Sequence, residues 1–101
     1  MDMEFNPSDY DGFEWDDGNQ HKSVHKHRVS IEETEQIFLN QSLFVYEDIA
    51  HSKTEQRYRV LGKTNTGRLL HASFTLRSNL IRIISARPMN KKEREFYEVQ
   101  N

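Results

Sequence analysis

The sequence contains no cysteine, only two prolines and four glycines, and no apolar run that approaches the length of a membrane span. The absence of cysteine excludes disulfides and thiolate zinc sites. The first residues lack the charged-then-apolar pattern of a signal peptide, so a cytoplasmic protein is expected. What is present, 35% hydrophobic and 30% charged residues over 101 positions, is typical of one soluble globular domain.

Motifs that bind nucleotide cofactors are also missing. The chain has no GxGxxG, no GxxxxGK[ST] and no nucleophile elbow. His21 and His25 stand four residues apart on a predicted helix and could bind a metal, but no carboxylate is spaced to complete the site. The sequence therefore predicts neither a cofactor nor a metal.

The formal net charge of −2 hides a strong asymmetry. Residues 1–50 hold 3 Lys/Arg against 12 Asp/Glu, a balance of −9, whereas residues 51–101 hold 11 against 4, a balance of +7. Segregated charge creates a signed surface on a nearly neutral molecule. Two interpretations stay open, because the two halves can pair with each other or the positive half can bind a polyanion.

The N-terminal half predicts one short strand and two helices. Residues 1–12 form an acidic arm, expected to be flexible, and residues 13–101 form the domain. Phe13–Trp15 is a candidate edge strand, and a first helix fits 18–27. A second helix begins at Ser30, which stands at capping-box spacing from Glu33 and precedes apolar residues at helical intervals.

The C-terminal half changes to a period of two, which indicates strands. In QRYRVLGKT, Arg57, Arg59 and Leu61 face one way while Tyr58 and Val60 face the other. SLFVYED, RLLHASFTLR and LIRIISAR are the other predicted strands, and KTNTG is a predicted turn in which Gly67 is free to take positive φ. Asn90 and Glu93 stand at capping spacing and begin a final helix that ends near Tyr97. The predicted fold is α+β, with two N-terminal helices packed on a four-stranded antiparallel sheet and a C-terminal helix.

Several arginines interrupt these strands, and each has two possible roles. Arg57 and Arg59 can form a solvated strand face, and Arg82 can pair with an acid of the N-terminal half. Arg87, at a strand end, is a candidate anion binder, since its planar fork matches phosphate oxygens. His71 reads as a half-buried histidine, and Trp15 as a core anchor.

Metal-independent cleavage of RNA is one reaction that needs only cations, imidazoles and a carboxylate. A base removes the 2′-OH proton, the oxygen attacks the adjacent phosphorus, and an acid protonates the departing 5′-oxygen. Cations stabilise the charge that develops on the phosphoryl oxygens. The residues alone leave this reaction as a hypothesis.

The segments read in order are more specific than any one of them. FEWDDGN at 13–19, HSKTEQRYRVLGKTNTGRLL at 51–70 and IRIISARPMNKKEREFYE at 81–98 resemble the BrnT family of bacterial toxins. The resemblance implies a RelE-like fold and an endoribonuclease toxin of a type II toxin–antitoxin pair that cleaves mRNA. It also implies a BrnA-like ribbon-helix-helix antitoxin, operator DNA bound only through the complex, and a possible toxin–toxin dimer.

Site residues follow from the resemblance together with the chemistry. Arg57, Arg82 and Arg87 would hold the scissile phosphate, His27, Lys26 or His51 would transfer protons, and Glu55 would orient a base or replace it. The predicted RNA-binding residues are Lys22, Lys26, Arg77, Lys91, Lys92 and Tyr97.

The chain departs from the family pattern at Ser23, where Asn is common, and at Arg28, where Gly is common. If φ at Arg28 is positive, this second change has a modest energetic cost. The alternative hypothesis is a catalytically weak toxin fold that acts mainly as an antitoxin-binding co-repressor.

Overall fold

The computed structural model describes residues 2–16, 18, 22 and 26–100. These residues contain one six-stranded mixed sheet with the strand order β1-β3-β4-β5-β6-β2. The strands are β1 (Asp2–Met3), β2 (Phe13–Trp15), β3 (Phe44–Glu47), β4 (Arg57–Lys63), β5 (Leu69–Arg77) and β6 (Leu80–Pro88). The α-helices that lie wholly within the described residues are α1 (Ile31–Leu39) and α2 (Lys91–Gln100).

The predicted fold is wrong in the make-up of its sheet, which is six-stranded and mixed rather than four-stranded and antiparallel. The four predicted strands do pair antiparallel, but β1 adds to β3, and β2 pairs parallel with β6. Both additions cover the unpaired backbone groups that a four-stranded sheet would leave at its edges. Gly18, Lys22, Lys26 and His27 are helical, and the rest of the helix predicted over 18–27 lies outside the described residues.

Helix α1 is fixed by a cap at its N-terminus and by packing against the sheet. The Ser30 hydroxyl accepts from the Glu33 amide and the Glu33 carboxylate accepts from the Ser30 amide, which confirms the predicted capping box. Ile37 and Phe38 are fully buried against the sheet. At Gly62, an added Cβ would lie 2.8 Å from the Cβ of Ile37, so glycine permits this close approach.

The main core lies between α1 and one face of the sheet. Alternate residues of three neighbouring strands contribute to it, including Val60, Ala72 and Ile83, all fully buried. Phe74 lies at its centre, with its ring 5.1 Å from that of Phe38. We call this surface of the sheet the core face.

The acidic N-terminal segment lies against the core rather than away from it. The ring of Phe5 stacks on Tyr10 at 5.4 Å and meets Phe74 edge-on at 5.4 Å. Segment 2–12, predicted as a flexible arm, therefore contributes both a strand and apolar contacts in this structure.

Two hairpins connect the long antiparallel strands. Gly67 has φ of +91° in the turn between β4 and β5, as its position in KTNTG predicted. Ser78 and Asn79 both have positive φ, 52° and 62°, which is the conformation of a two-residue type I′ turn. These turns fix the register in which residues of β4, β5 and β6 face each other.

Helix α2 packs on the opposite face of the sheet, which we call the open face because α2 covers only one end of it. Tyr97 is buried there against Leu61, Met89 and Phe44. Asn90 and Glu93 form the cap that the sequence predicted, with amide-to-side-chain hydrogen bonds of 2.9 Å in both directions. No helix of the described residues has the length and apolarity needed to cross a membrane.

Candidate active site

A β-bulge brings the arginines of β6 onto one face. Arg82 and Arg87 are five residues apart, a spacing that would place them on opposite faces of a regular strand. The pairing shifts between Ser73↔Ser85 and Phe74↔Ile83, so Ile84 is an extra residue on β6. Arg82 then pairs with Thr75 and Arg87 with His71, two residues on the same side of β5. Both guanidinium groups therefore lie on the open face.

Strand β4 adds two more arginines to this face. Arg57 lies opposite Thr75 and Arg59 opposite Ser73, so both follow the same alternation. The cross-strand rows place Arg57 and Arg82 on either side of Thr75. Strands β4 and β6 thus place four arginines on the open face, Arg57, Arg59, Arg82 and Arg87, and Arg77 at the end of β5 follows the same alternation.

Arg87 is held by a carboxylate of helix α2. Its two terminal nitrogens donate to the two oxygens of Glu93 at 2.8 and 2.9 Å, a bidentate pair. Burial raises the pKa of Glu93, but the hydrogen bonds from Arg87 and from the Asn90 amide outweigh it and lower the pKa to about 2. Glu93 therefore stays ionised and anchors α2 to the end of β6.

Arg82 and Arg59 also have internal partners. The Arg82 guanidinium lies 3.2 Å from Glu14 and 3.6 Å from Asp16, so the N-terminal half does supply the acids that pair with it. Arg59 donates from Nε to Asp48 at 3.1 Å. Three of the four arginines that β4 and β6 place on the open face thus have a carboxylate beside them.

Arg57 differs from these three. Its guanidinium has no hydrogen bond or ion pair with any residue in the described ranges 2–16, 18, 22 and 26–100. Its backbone, in contrast, is fixed, because its amide donates to the Ser52 hydroxyl at 3.0 Å. Arg57 is therefore a well-placed cation whose donors remain available to an anion.

The two histidines that were predicted to transfer protons lie near different arginines of the open face. Partial burial and the positive charges of Lys26, Arg87 and Lys22 lower the pKa of His27, which favours a neutral imidazole. His51 instead contacts a carboxylate, with Nδ1 lying 3.0 Å from Asp48. Each imidazole is thus associated with a different part of the cationic cluster.

His71 occupies the buried end of the same face. Burial and the positive charge of Arg87 lower its pKa to about 4, so its ring is neutral at pH 7. Neither ring nitrogen has a hydrogen-bond partner among the described residues, and Nε2 lies 3.9 Å from Glu93. This agrees with the predicted buried histidine, although the ring is more buried than expected.

Some predicted site residues have other roles. Glu55 pairs with Arg77 at 2.8 Å and does not contact His51. Tyr97, predicted to bind RNA, is only 2% exposed and donates to the Ser42 carbonyl, so it belongs to the core and cannot contact RNA. Lys91 and Lys92 are exposed in the first turn of α2. Trp15 packs on the core, as predicted.

No three histidine or acidic side chains of the described residues gather in a way that would hold a metal ion. His21 and His25, the pair considered for a metal, lie outside the described residues.

The comparison with known families decides which class of protein this is. A model described as "Ribonuclease toxin, BrnT, of type II toxin-antitoxin system" matches residues 15–93. The chain belongs to the BrnT family. It is accordingly a ribonuclease toxin of a type II toxin–antitoxin system, and an antitoxin is its expected partner. No curated protein matches the sequence.

A solved structure supports the BrnT fold. The chain resembles the 1.1 Å crystal structure of the Brucella abortus ribonuclease toxin BrnT, with a TM-score of 0.61 at 20% sequence identity. The match covers 79% of this chain and 97% of the Brucella chain. At this identity, the likeness concerns the fold.

Three residues were not assigned to the site from the sequence. Arg59 was assigned to a strand face, Asp48 had no role, and Glu93 was predicted as a helix cap and, from the family resemblance, as a recurrent polar residue. The strict alternation of β4 does place Arg59 beside Arg57, and the DIAH segment spaces Asp48 and His51 three residues apart. No local signal in the sequence pairs Glu93 with Arg87, because that contact depends on how α2 turns back over β6.

Proposed function

We propose that this BrnT-family toxin cleaves RNA without a metal ion, by attack of a ribose 2′-oxygen on the adjacent phosphodiester. The observation that carries the proposal is the convergence of Arg57, Arg59, Arg82 and Arg87 on the open face, with His27 and His51 beside it. Guanidinium groups fixed before the substrate arrives stabilise the charge that develops on phosphorus without reorganising.

Arg57 is the leading candidate for the group that grips the scissile phosphate. Its donors are available, whereas Arg87 and Arg82 already bind carboxylates. The paired arginines would position the phosphodiester at longer range and contribute their remaining N–H donors. Lys22, Lys26, Lys91, Lys92 and Arg77 would contact the RNA backbone, so we expect affinity to fall with increasing salt.

The reaction needs a base on the side of the 2′-oxygen and an acid on the side of the departing 5′-oxygen. His27, Lys26 and His51 are the candidates for these two roles. A neutral His27 next to several cations is suited to accept a proton.

RNA cleavage in the presence of EDTA tests this mechanism. Wild-type protein should cut single-stranded RNA and leave 2′,3′-cyclic phosphate ends, and should not cut a 2′-deoxy analogue. Arg57→Ala should lose about 100-fold to 1,000-fold in kcat/KM, the loss typical of one removed transition-state donor. Lys63→Ala is the matched control, because it removes one cation from the far end of the same strand. Activity that requires an added divalent metal, or cleavage of the deoxy analogue, would refute the mechanism.

We further propose that the antitoxin is a BrnA-like ribbon-helix-helix protein, that operator DNA is bound only through the complex, and that two toxins contact each other in it. Masking the open face would neutralise its cations and block RNA. A short adjacent reading frame encoding such a protein, whose product abolishes RNA cleavage on mixing, is the expected finding.

A second candidate function is a toxin fold that serves mainly as a co-repressor with its antitoxin. The observation that favours it is the internal neutralisation of three arginines, together with the Ser23 and Arg28 departures. Expression of the toxin without antitoxin separates the two functions, because an active nuclease arrests growth and a co-repressor does not.

A further inference from the structure

Asp48 and His51 form a carboxylate–imidazole pair beside the open face. The Nδ1 atom of His51 lies 3.1 and 3.0 Å from the two oxygens of Asp48. Asp48 is 8% exposed, whereas the His51 side chain is 58% exposed. A carboxylate acceptor at Nδ1 selects the tautomer that carries its proton there, which leaves the Nε2 lone pair directed away from Asp48.

Asp48 is itself held in place by its surroundings. Its amide donates to the carbonyl of Arg57 at 2.9 Å, and its carbonyl accepts from the Ser52 hydroxyl at 2.7 Å. Its carboxylate also accepts from Nε of Arg59 at 3.1 Å. These contacts join the short 3-10 turn Ile49–His51 to the start of β4 and leave the carboxylate little freedom.

The same contacts place the imidazole next to the arginines. One oxygen of Asp48 binds both Nδ1 of His51 and Nε of Arg59, so these two nitrogens are at most about 6 Å apart. Arg57 lies two residues before Arg59 on the same strand and face. The pair therefore stands beside the one arginine of the open face that lacks a partner among the described residues.

We infer that Asp48 is a positioning residue that holds His51 as the base of the RNA-cleaving reaction; this inference rests on the proposed function and adds the group that orients its base. Nε2 of His51 takes the proton of the 2′-OH, the O2′–P bond forms, and the P–O5′ bond breaks. The leaving 5′-oxygen receives its proton from a charged donor, for which Lys26, next to His27, is the candidate. Asp48 stays ionised and stabilises the imidazolium that forms. Glu55, the acid first expected in this role, is bound to Arg77 instead.

The test compares Asp48→Asn with Glu47→Gln in RNA cleavage under saturating substrate. Both changes remove one negative charge, but Glu47 belongs to β3 and lies on the other side of the strand from Tyr46 and the open face. Asp48→Asn should lower kcat about 10-fold to 100-fold with KM nearly unchanged, because the loss of the orienting charge weakens base catalysis rather than binding. Glu47→Gln should retain the wild-type kcat.

His51→Gln is the second variant, and it protects the test from a folding defect of Asp48→Asn because its side chain is exposed. His51→Gln should lower kcat at least as much as Asp48→Asn does. The double variant should lower kcat no more than His51→Gln alone, because the two residues act as a unit. A wild-type rate in either single variant, with a wild-type melting curve, would overturn the inference.

Nuclear magnetic resonance of the imidazole nitrogens gives a readout independent of activity. Wild-type His51 should show the tautomer protonated at Nδ1, and Asp48→Asn should show a mixture of tautomers. An inactive wild type would overturn the proposed function and, with it, this catalytic role. An active wild type whose His51 is protonated at Nε2 would overturn only the role of Asp48.

Discussion

The two faces of this sheet are built from the same strands but hold the molecule together in different ways. On the core face, fully buried apolar residues such as Val60 and Phe74 pack against α1 without any polar partner. On the open face, arginines take the alternate positions and contact carboxylates from three other segments. Strand alternation lets one segment supply stability through one side and charge through the other.

On the open face, the arginines and the carboxylates that contact them come largely from distant parts of the chain. Its arginines belong to the positive C-terminal half, whereas Glu14, Asp16 and Asp48 belong to the negative N-terminal half. The two interpretations of the charge asymmetry are thus combined, because much of the positive half pairs internally, whereas Arg57 has no partner among the residues that the structure describes.

The largest loss of stability should come from a substitution on the core face. Phe74→Ala should reduce the free energy of unfolding by about 3–5 kcal/mol, because it leaves a cavity among the rings of Phe5, Phe38 and Tyr58. Chemical denaturation measures this loss. Ser73→Ala, the next residue on the open face, should change the free energy by less than about 1 kcal/mol. Equal losses in the two variants would contradict the division between the faces.

A smaller effect is expected where the open face is anchored to α2. Glu93→Gln should cost about 1–2 kcal/mol at pH 7, because it removes the charge that binds Arg87. The pKa of Glu93 is lowered from 4.5 to about 2, so its contribution is complete above about pH 4.5 and disappears as the pH falls towards 2.

Denaturation at pH 7, 5 and 3 should therefore show the wild type and Glu93→Gln converging at the lowest pH. Glu98→Gln, an exposed acid on the same helix, is the control and should not differ from the wild type by more than about 0.5 kcal/mol. A gap that stays constant across this pH range would mean that ionisation of Glu93 does not stabilise the fold.

His71→Leu should be close to neutral at pH 7, within about 1 kcal/mol, since an apolar side chain replaces a buried ring whose nitrogens have no described partner. The pKa of His71 is lowered from 6.5 to about 4 in the folded protein. The unfolded chain therefore binds a proton below about pH 6.5 that the folded chain rejects until about pH 4, and the wild type loses stability over that range.

We expect the advantage of His71→Leu over the wild type to grow by about 1–2 kcal/mol between pH 7 and pH 5. Melting temperatures of both proteins at the two pH values measure it. If the melting temperatures of the two proteins fall equally between pH 7 and pH 5, His71 is protonated or hydrated in the folded state, and the prediction is wrong.

The smallest effect concerns the backbone beside the site. Arg28 has φ of +54°, the conformation that was expected to carry a cost at this position. Arg28→Gly should raise the free energy of unfolding by about 0.5–1 kcal/mol, and the carbonyl that accepts from Arg68 at 2.7 Å is retained. Arg28→Ala removes the charge but keeps the strain, so it should leave the melting temperature unchanged, and a rise in that variant would point to charge instead.

The sequence predicted best what depends on neighbours along the chain. Both helix caps, the turn at Gly67 and the alternation of β4 are local patterns, and each is confirmed. The pairing of β1 and the parallel pairing of β2 were missed, because strand register depends on contacts between distant segments.

In the candidate site, too, the features that depend on neighbours along the chain were predicted best. Alternation placed Arg57 and Arg59 on one strand face, but the carboxylates beside Arg82 and Arg87 come from other elements and required the structure. Tyr97 was misassigned because a tyrosine on a charged helix looks exposed until the helix is seen packed over Leu61 and Met89. Asp48 was within reach of sequence reasoning, since it lies three residues from His51.

The extra residue at Ile84 gives β6 a strict dependence on its length. Deleting it would leave Ser85 directly after Ile83, so Arg82 and Arg87 would stand four residues apart and both stay on the open face by simple alternation. One further inserted residue would instead turn Arg87 towards α1 and Ala86 towards α2, whatever the identities of the side chains. Substitutions along this strand change one contact at a time, whereas such an insertion would exchange the two faces for half of it. Single-residue insertions, more than point changes or loss of Ile84, should therefore be rare in this strand among active relatives.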